Sequence, residues 1–123
     1  MREISPTELA QRMAAAREAA AQVQQEGTNT APEHAMPLVL DLREEWELQK
    51  AALPDVRHLP MSQILSRVGE LDPKQPIICM CHHGGRSTQV GLWLETLGFT
   101  DVSNLTGGIE AWSLQVDDAV PRY

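Results

Sequence analysis

The segment PIICMCHHGGRSTQV, residues 76–90, places a short apolar run, a cysteine, two glycines and an arginine in immediate succession. Ile77 and Ile78 sit in a run without polar alternation, which predicts a strand buried on both faces. The following residues, STQVGLWLETLG (87–98), predict a helix with Val90, Leu94 and Leu97 on one face and Gly98 as its C-cap. A buried strand feeding a helix through a glycine turn is the opening of a strand–helix–strand unit. The chain on either side extends that pattern.

Upstream, ISPTEL (4–9) predicts a helix start: Ser5 caps, Pro6 takes the first helical position, Glu8 closes a capping box and Ile4 staples onto Leu9. The Ala-, Gln- and Glu-rich run to Glu26 favours helix, Gly27 ends it, and GTNTAPEHAMP (27–37) predicts a surface loop. LVLDL (38–42) predicts a strand, REEWELQ (43–49) a helical turn or two, and DVRHLP (55–60) a short strand. MSQILSRVGEL (61–71) predicts a short amphipathic helix, closed by Asp72 and Pro73. Downstream, TDVSNL (100–105) predicts the last strand and GGIEAWSLQ (107–115) a closing helix, while VDDAVPRY (116–123) carries no signal. Strands alternating with helices imply an α/β fold with a parallel sheet covered on both faces. No internal repeat is present, and 123 residues suit one domain, 1–123.

Composition narrows the function. A net charge of −7 argues against nucleic acid, whose phosphates need a Lys/Arg surface. No apolar run approaches the ~20 residues of a membrane span, and MREISPTEL has no signal-peptide character. Cys79 and Cys81 are poorly placed to pair with each other, since their α-carbons in a strand lie ~6.6–7 Å apart. The expectation is a reducing cytoplasm in which Cys81 stays a thiol.

Cys81 falls where its strand ends and the next helix has not begun, the place where sites form in such folds. A loop entering a helix N-terminus points several N–H groups at one atom, and the helix dipole adds positive potential. Gly84 and Gly85 allow a tight turn and close backbone approach. A free thiol has a pKa of ~8.5, and lowering it by ~2 units takes ~2.7 kcal/mol, within reach of a few aimed amides and Arg86. A cation at a helix N-terminus opposes the dipole, so Arg86 is expected to serve an anionic ligand or intermediate. Cys79, mid-strand, is expected to be a core residue. CMCHH (79–83) also suits zinc or copper, but no second Cys/His cluster exists and His34 and His58 are isolated, so no metal is expected. Trp46, Trp93 and Trp112 are expected to fill core or helix-packing positions.

These residues carry a resemblance. CHHGGRS (81–87) resembles the active-site loop of the single-domain rhodaneses, sulfurtransferases whose pattern is Cys-x-x-Gly-x-Arg-Ser. LVLDLREEWEL (38–48) resembles the family's strand-end Asp-x-Arg-Glu segment, and RHLP (57–60) its His-Leu-Pro. LGFTDVSNLTGGIEAW (97–112) resembles its closing signature, and ISPTELAQRM (4–13) its opening strand and helix. The resemblance implies a rhodanese-like sheet of five parallel strands with helices on both sides. It also implies a two-step sulfur transfer without a cofactor. The Cys81 thiolate takes the outer sulfur of a donor such as thiosulfate and passes it to cyanide or to a small or protein thiol. In that scheme the amides of residues 82–86 hold the sulfur, Arg86 steers the donor, and His82 and His83 line the mouth. Ser87 bonds the sulfur or caps the helix, and Asp41 and Arg43 form an ion pair tying loops together. The chain departs from the family where Ala51, Ala52 and Asp55 replace two glycines and a histidine, which leaves that loop's conformation open. Residues 14–37 are longer than the family's usual link and are expected to form an extended helix and loop.

Two other readings compete. A cysteine phosphatase or arsenate reductase uses Cys-x5-Arg, whereas four residues separate Cys81 from Arg86, which suits one sulfur better than a tetrahedral oxyanion. A non-catalytic rhodanese-like module that binds a partner usually lacks the cysteine.

Overall fold

The computed structural model describes residues 1–26 and 36–123. The loop expected at 27–37 therefore lies almost wholly outside the described residues. Five strands, β1 (Arg2–Ile4), β2 (Leu38–Asp41), β3 (Arg57–His58), β4 (Ile77–Met80) and β5 (Val102–Leu105), form one sheet in the order β1-β5-β4-β2-β3. Every pairing is parallel. Among the described residues five helices accompany them: α1 (Pro6–Glu26), α2 (Glu45–Leu48), α3 (Ile64–Arg67), α4 (Gly85–Thr96) and α5 (Gly108–Gln115), with a 3-10 turn at Val68–Glu70.

The two faces of the sheet explain why β4 carries no polar residue. Ile78 and Met80 enter one cluster with Ile4, Leu9, Met13, Val39, Leu105 and Ile109, under α1 and α5. Ile77 and Cys79 enter the other, with Leu40, Leu59, Ile64, Val90, Leu94 and Val102, under α3 and α4. Alternate side chains of one strand thus feed two cores, and all four are fully buried. Cys79 is one of these core residues.

The start of α1 follows the capping logic: the Glu8 amide donates to Ser5 Oγ (3.1 Å) and the Ser5 amide to Glu8 Oε1 (3.4 Å). Leu9, Met13 and Ala16 form its buried stripe. Helix α4 begins at Gly85 rather than at Ser87, two residues earlier than expected. Val90 and Leu94 are buried as expected, but Leu97 ends the helix and is 47 % exposed. Trp46, expected to pack inside, is 58 % exposed on α2, because that short helix turns Glu47 inward instead. Asp55, where the resembling family has glycine, holds the left-handed conformation itself (φ 61°). Aspartate tolerates that region better than most side chains, so the glycine-like turn survives the substitution.

From β2 the chain moves to β3 on one side, and from β4 to β5 on the other. The carboxyl ends of β2 and β4 therefore flank a switch point, where a crevice opens in such sheets.

Candidate active site

Cys81 is the first residue after β4, and the structure sets it at that crevice with 1 % exposure. Its backbone is braced from below by α5. The Ile109 amide donates to the Cys81 carbonyl (3.0 Å) and the Glu110 amide to the His82 carbonyl (3.2 Å). This close approach requires Gly108, where a Cβ would lie 2.3 Å from the Cys81 carbonyl oxygen.

The loop then turns at Gly84, whose φ of +110° requires glycine, and whose amide donates to Cys81 Sγ (3.1 Å). Gly85 is different. It begins α4, has no positive φ and has open space where a side chain would go, so neither the turn nor a protein neighbour requires glycine there. Ser87 is fully buried and takes the sulfur-bonding one of its two expected roles, since no side chain caps the start of α4. Its Oγ lies 3.4 Å from Cys81 Sγ and 3.1 Å from the Gly84 carbonyl, and it also bonds Asn104. Burial pushes the Cys81 thiol up. The Ser87 hydroxyl and the amides of Ser87, Gly84 and Arg86 outweigh that and bring it below its ordinary value. Cys79, two residues earlier, meets no such donors, and burial pushes it up to about 12.

A measurable consequence follows. A lowered pKa means more thiolate at a given pH, so Cys81 alkylation by iodoacetamide should reach half its plateau rate at a lower pH than that of a free cysteine in the same buffer. Ser87→Ala should move that midpoint upward. An upward-shifted midpoint in the wild type would remove the thiolate assignment.

Arg86, expected from sequence to serve an anionic ligand, is engaged by a carboxylate of the chain itself. Both of its terminal nitrogens donate to Glu47, at 2.7 Å each. Glu47 is 3 % exposed and accepts further bonds from the Glu44 amide (2.8 Å) and the Tyr123 hydroxyl (3.0 Å). The Arg86 bonds, with the Glu44 amide and the Tyr123 hydroxyl, overcome burial and hold the Glu47 carboxyl down to about 2. The carboxylate thus supplies the negative charge that a cation at a helix start needs.

Asp41 and Arg43 form a wholly buried ion pair at the end of β2, with Arg43 Nη2 2.8 Å and Nε 3.0 Å from the carboxylate. Arg43 Nη1 donates to Tyr123 Oη (3.1 Å), and the Arg43 carbonyl lies 2.6 Å from His58 Nε2 at the end of β3. A continuous series therefore runs Asp41–Arg43–Tyr123–Glu47–Arg86. The C-terminal tail, without signal in the sequence, supplies its middle member.

His82 stacks on His83 (ring centroids 3.8 Å apart) and on Tyr123 (3.9 Å). His83 is exposed, while burial and then His83 push the His82 pKa down, which favours its neutral form. Its Nε2 has no hydrogen-bond partner and lies 3.8 Å from Glu110. His82, His83 and Glu110 bring potential metal-ligand atoms within 4.8 Å of one another. The two rings are only 23° from parallel, so their lone pairs do not converge, and Arg122 Nε takes Glu110 Oε1 (2.8 Å) while Oε2 faces His82.

Sequence reasoning missed Glu47, Tyr123 and Asn104. Glu47 had a usable signal, an acidic residue one turn beyond Asp-x-Arg that reciprocally caps Glu44. Tyr123 and Asn104 had none.

Residues 16–115 match the rhodanese-like domain. The chain belongs to the rhodanese-like domain family. It is 39 % identical over 89 residues to the chloroplastic rhodanese-like/PpiC domain-containing protein 12 of Arabidopsis thaliana, covering 69 % of this chain but 30 % of that protein. The chain thus spans less than a third of that relative's length. It is 30 % identical over 93 residues to thiosulfate sulfurtransferase GlpE of Pseudomonas savastanoi pv. phaseolicola, covering 71 % of this chain and 88 % of that protein. A rhodanese-related protein of Thermoplasma volcanium superimposes with a TM-score of 0.72 at 22 % identity, covering 94 % of each chain, and shares the rhodanese-like fold. No helix among the described residues is long and apolar enough to cross a membrane.

Proposed function

We propose that this rhodanese-like chain is a sulfurtransferase that carries sulfane sulfur as a persulfide on Cys81. The thiolate attacks the outer sulfur of a donor such as thiosulfate; the donor S–S bond breaks and sulfite leaves with the electron pair. A nucleophilic acceptor, cyanide or a small or protein thiol, then attacks the terminal sulfur and restores the Cys81 thiolate. This is covalent catalysis with ping-pong kinetics and needs no cofactor.

One observation carries the reading: a buried cysteine at a strand end that receives the Gly84 amide at 3.1 Å, with the Ser87 hydroxyl 3.4 Å away. Donors gathered at one sulfur stabilise a thiolate and, one bond further out, a persulfide anion. In this reading residues 1–123 act as one domain in a reducing, cytoplasmic setting, because Cys81 has to remain a thiol between turnovers. Residues 82–87 form its binding loop, with Asp41 and Arg43 in support.

The test is an intact mass after incubating the reduced protein with excess thiosulfate and removing the donor. A gain of one sulfur, about 32 daltons, reversed by dithiothreitol, is expected. Hydrolysis of an aryl phosphate with no sulfur adduct would replace this reading with the phosphatase one.

The Glu47–Arg86 pair gives a second expectation. Glu47 has a folded pKa of about 2 against an ordinary 4.5, so the pair stabilises the fold fully above pH 4.5 and loses that effect as pH falls towards 2. The wild type should therefore exceed Glu47→Gln in urea stability by at most ~3 kcal/mol at pH 7, a gap that closes between pH 4.5 and 2. A gap independent of pH would show that the charge of Glu47 is not what stabilises.

A further inference from the structure

Building on the sulfur-transfer reading, we propose that Glu47 is a specificity-determining residue that cancels the charge of Arg86, so that the site takes an alkyl persulfide, R–S–SH, in preference to the thiosulfate dianion. Arg86 is the one cation of the loop, and Glu47 engages both of its terminal nitrogens at 2.7 Å. The carboxylate cannot be drawn away cheaply. It is 3 % exposed and pinned by the Glu44 amide and the Tyr123 hydroxyl. Turning Arg86 towards a donor would leave a buried carboxylate without its counter-charge.

The neighbouring cations are matched in the same way. Arg43 is buried against Asp41, and Arg122 pairs with Glu110. The charges that surround Cys81 thus pair off, within a chain of net charge −7. Such a field does not concentrate a dianion.

Depth sharpens the choice. Cys81 is 1 % exposed, so a donor has to push its outer sulfur inward while the next group stays at the mouth. In thiosulfate that next group is a sulfonate carrying negative charge one bond from the reacting sulfur. In an alkyl persulfide it is an uncharged sulfur on a CH2, suited to the stacked rings of His82 and Tyr123. The step balances without any redox partner. The Cys81 thiolate attacks the outer sulfur of R–S–SH, the donor S–S bond breaks, and R–S⁻ leaves with the electron pair, giving Cys81–S–SH.

The experiment compares kcat/KM for thiosulfate and for 2-hydroxyethyl persulfide, whose organic part carries no charge, with cyanide as acceptor, in the wild type and in Glu47→Gln. The wild type should favour the persulfide by about tenfold or more, and Glu47→Gln should lower that ratio by about tenfold through a gain for thiosulfate. A second measurement needs no variant: wild-type kcat/KM for thiosulfate should stay flat or rise with ionic strength, because no net positive charge draws the dianion in. Thiosulfate preference in the wild type, an unchanged ratio in the variant, or a fall with ionic strength would each overturn the specificity role while leaving sulfur transfer intact. Failure of both donors to add sulfur to Cys81 would instead reject the sulfur-transfer reading itself.

Discussion

Cys81→Ser is expected to abolish sulfur transfer, with a loss of about 10³-fold or more in kcat/KM and no sulfur adduct by mass. The serine hydroxyl fits the space but does not ionise, so the amide of Gly84 and the hydroxyl of Ser87 would face a neutral oxygen. Cys79→Ala is the matched control. That thiol is pushed up to about 12 by burial and lies in the core beneath α4, so its removal leaves a small cavity and most of the activity. Equal losses in the two variants would show that the nucleophile is misassigned.

Gly108→Ala should damage stability and activity together. A Cβ there would sit 2.3 Å from the Cys81 carbonyl oxygen and 2.5 Å from that of His82, both backbone atoms that cannot swing aside. The residue also holds φ +62°, a conformation that costs an alanine ~1–2 kcal/mol before any clash. With the clash added, a loss of about 3 kcal/mol or more is expected, which lowers Tm by roughly 10 °C for a chain of this size. The loop moves with its brace, so kcat/KM should fall in the protein that remains folded. Gly69→Ala is the comparison: its surroundings are open and its φ is not positive, and Tm should stay within about 2 °C. An unchanged Tm for Gly108→Ala would mean that the α5 start does not brace the active-site backbone.

Local sequence alone dictates the layers, the sheet direction and the place of Cys81 directly after a buried strand. Those features are written in short range: the apolar run Ile77–Met80, the Ser5–Glu8 capping box, the glycine turn after Cys81 and the alternation of strand with helix. Each is fixed by propensity and burial within a few neighbours, so a linear reading reaches it. The Asp41–Arg43 pair was legible for the same reason, since its partners are two residues apart.

Only the tertiary structure decided what Arg86 does. Its partner Glu47 lies 39 residues away, and Tyr123, which links Glu47 to Arg43, comes from a tail with no local signal. Nothing in the spacing of an arginine at a helix start separates one that receives a substrate anion from one already matched by a buried carboxylate. The need for Gly108 was hidden similarly, because it arises where α5 meets the Cys81 carbonyl across the sheet rather than within its own turn. Long-range charge pairing and backbone contact depend on which strand ends the topology brings together. In this protein those contacts, rather than the motif alone, set the electrostatics around the sulfur.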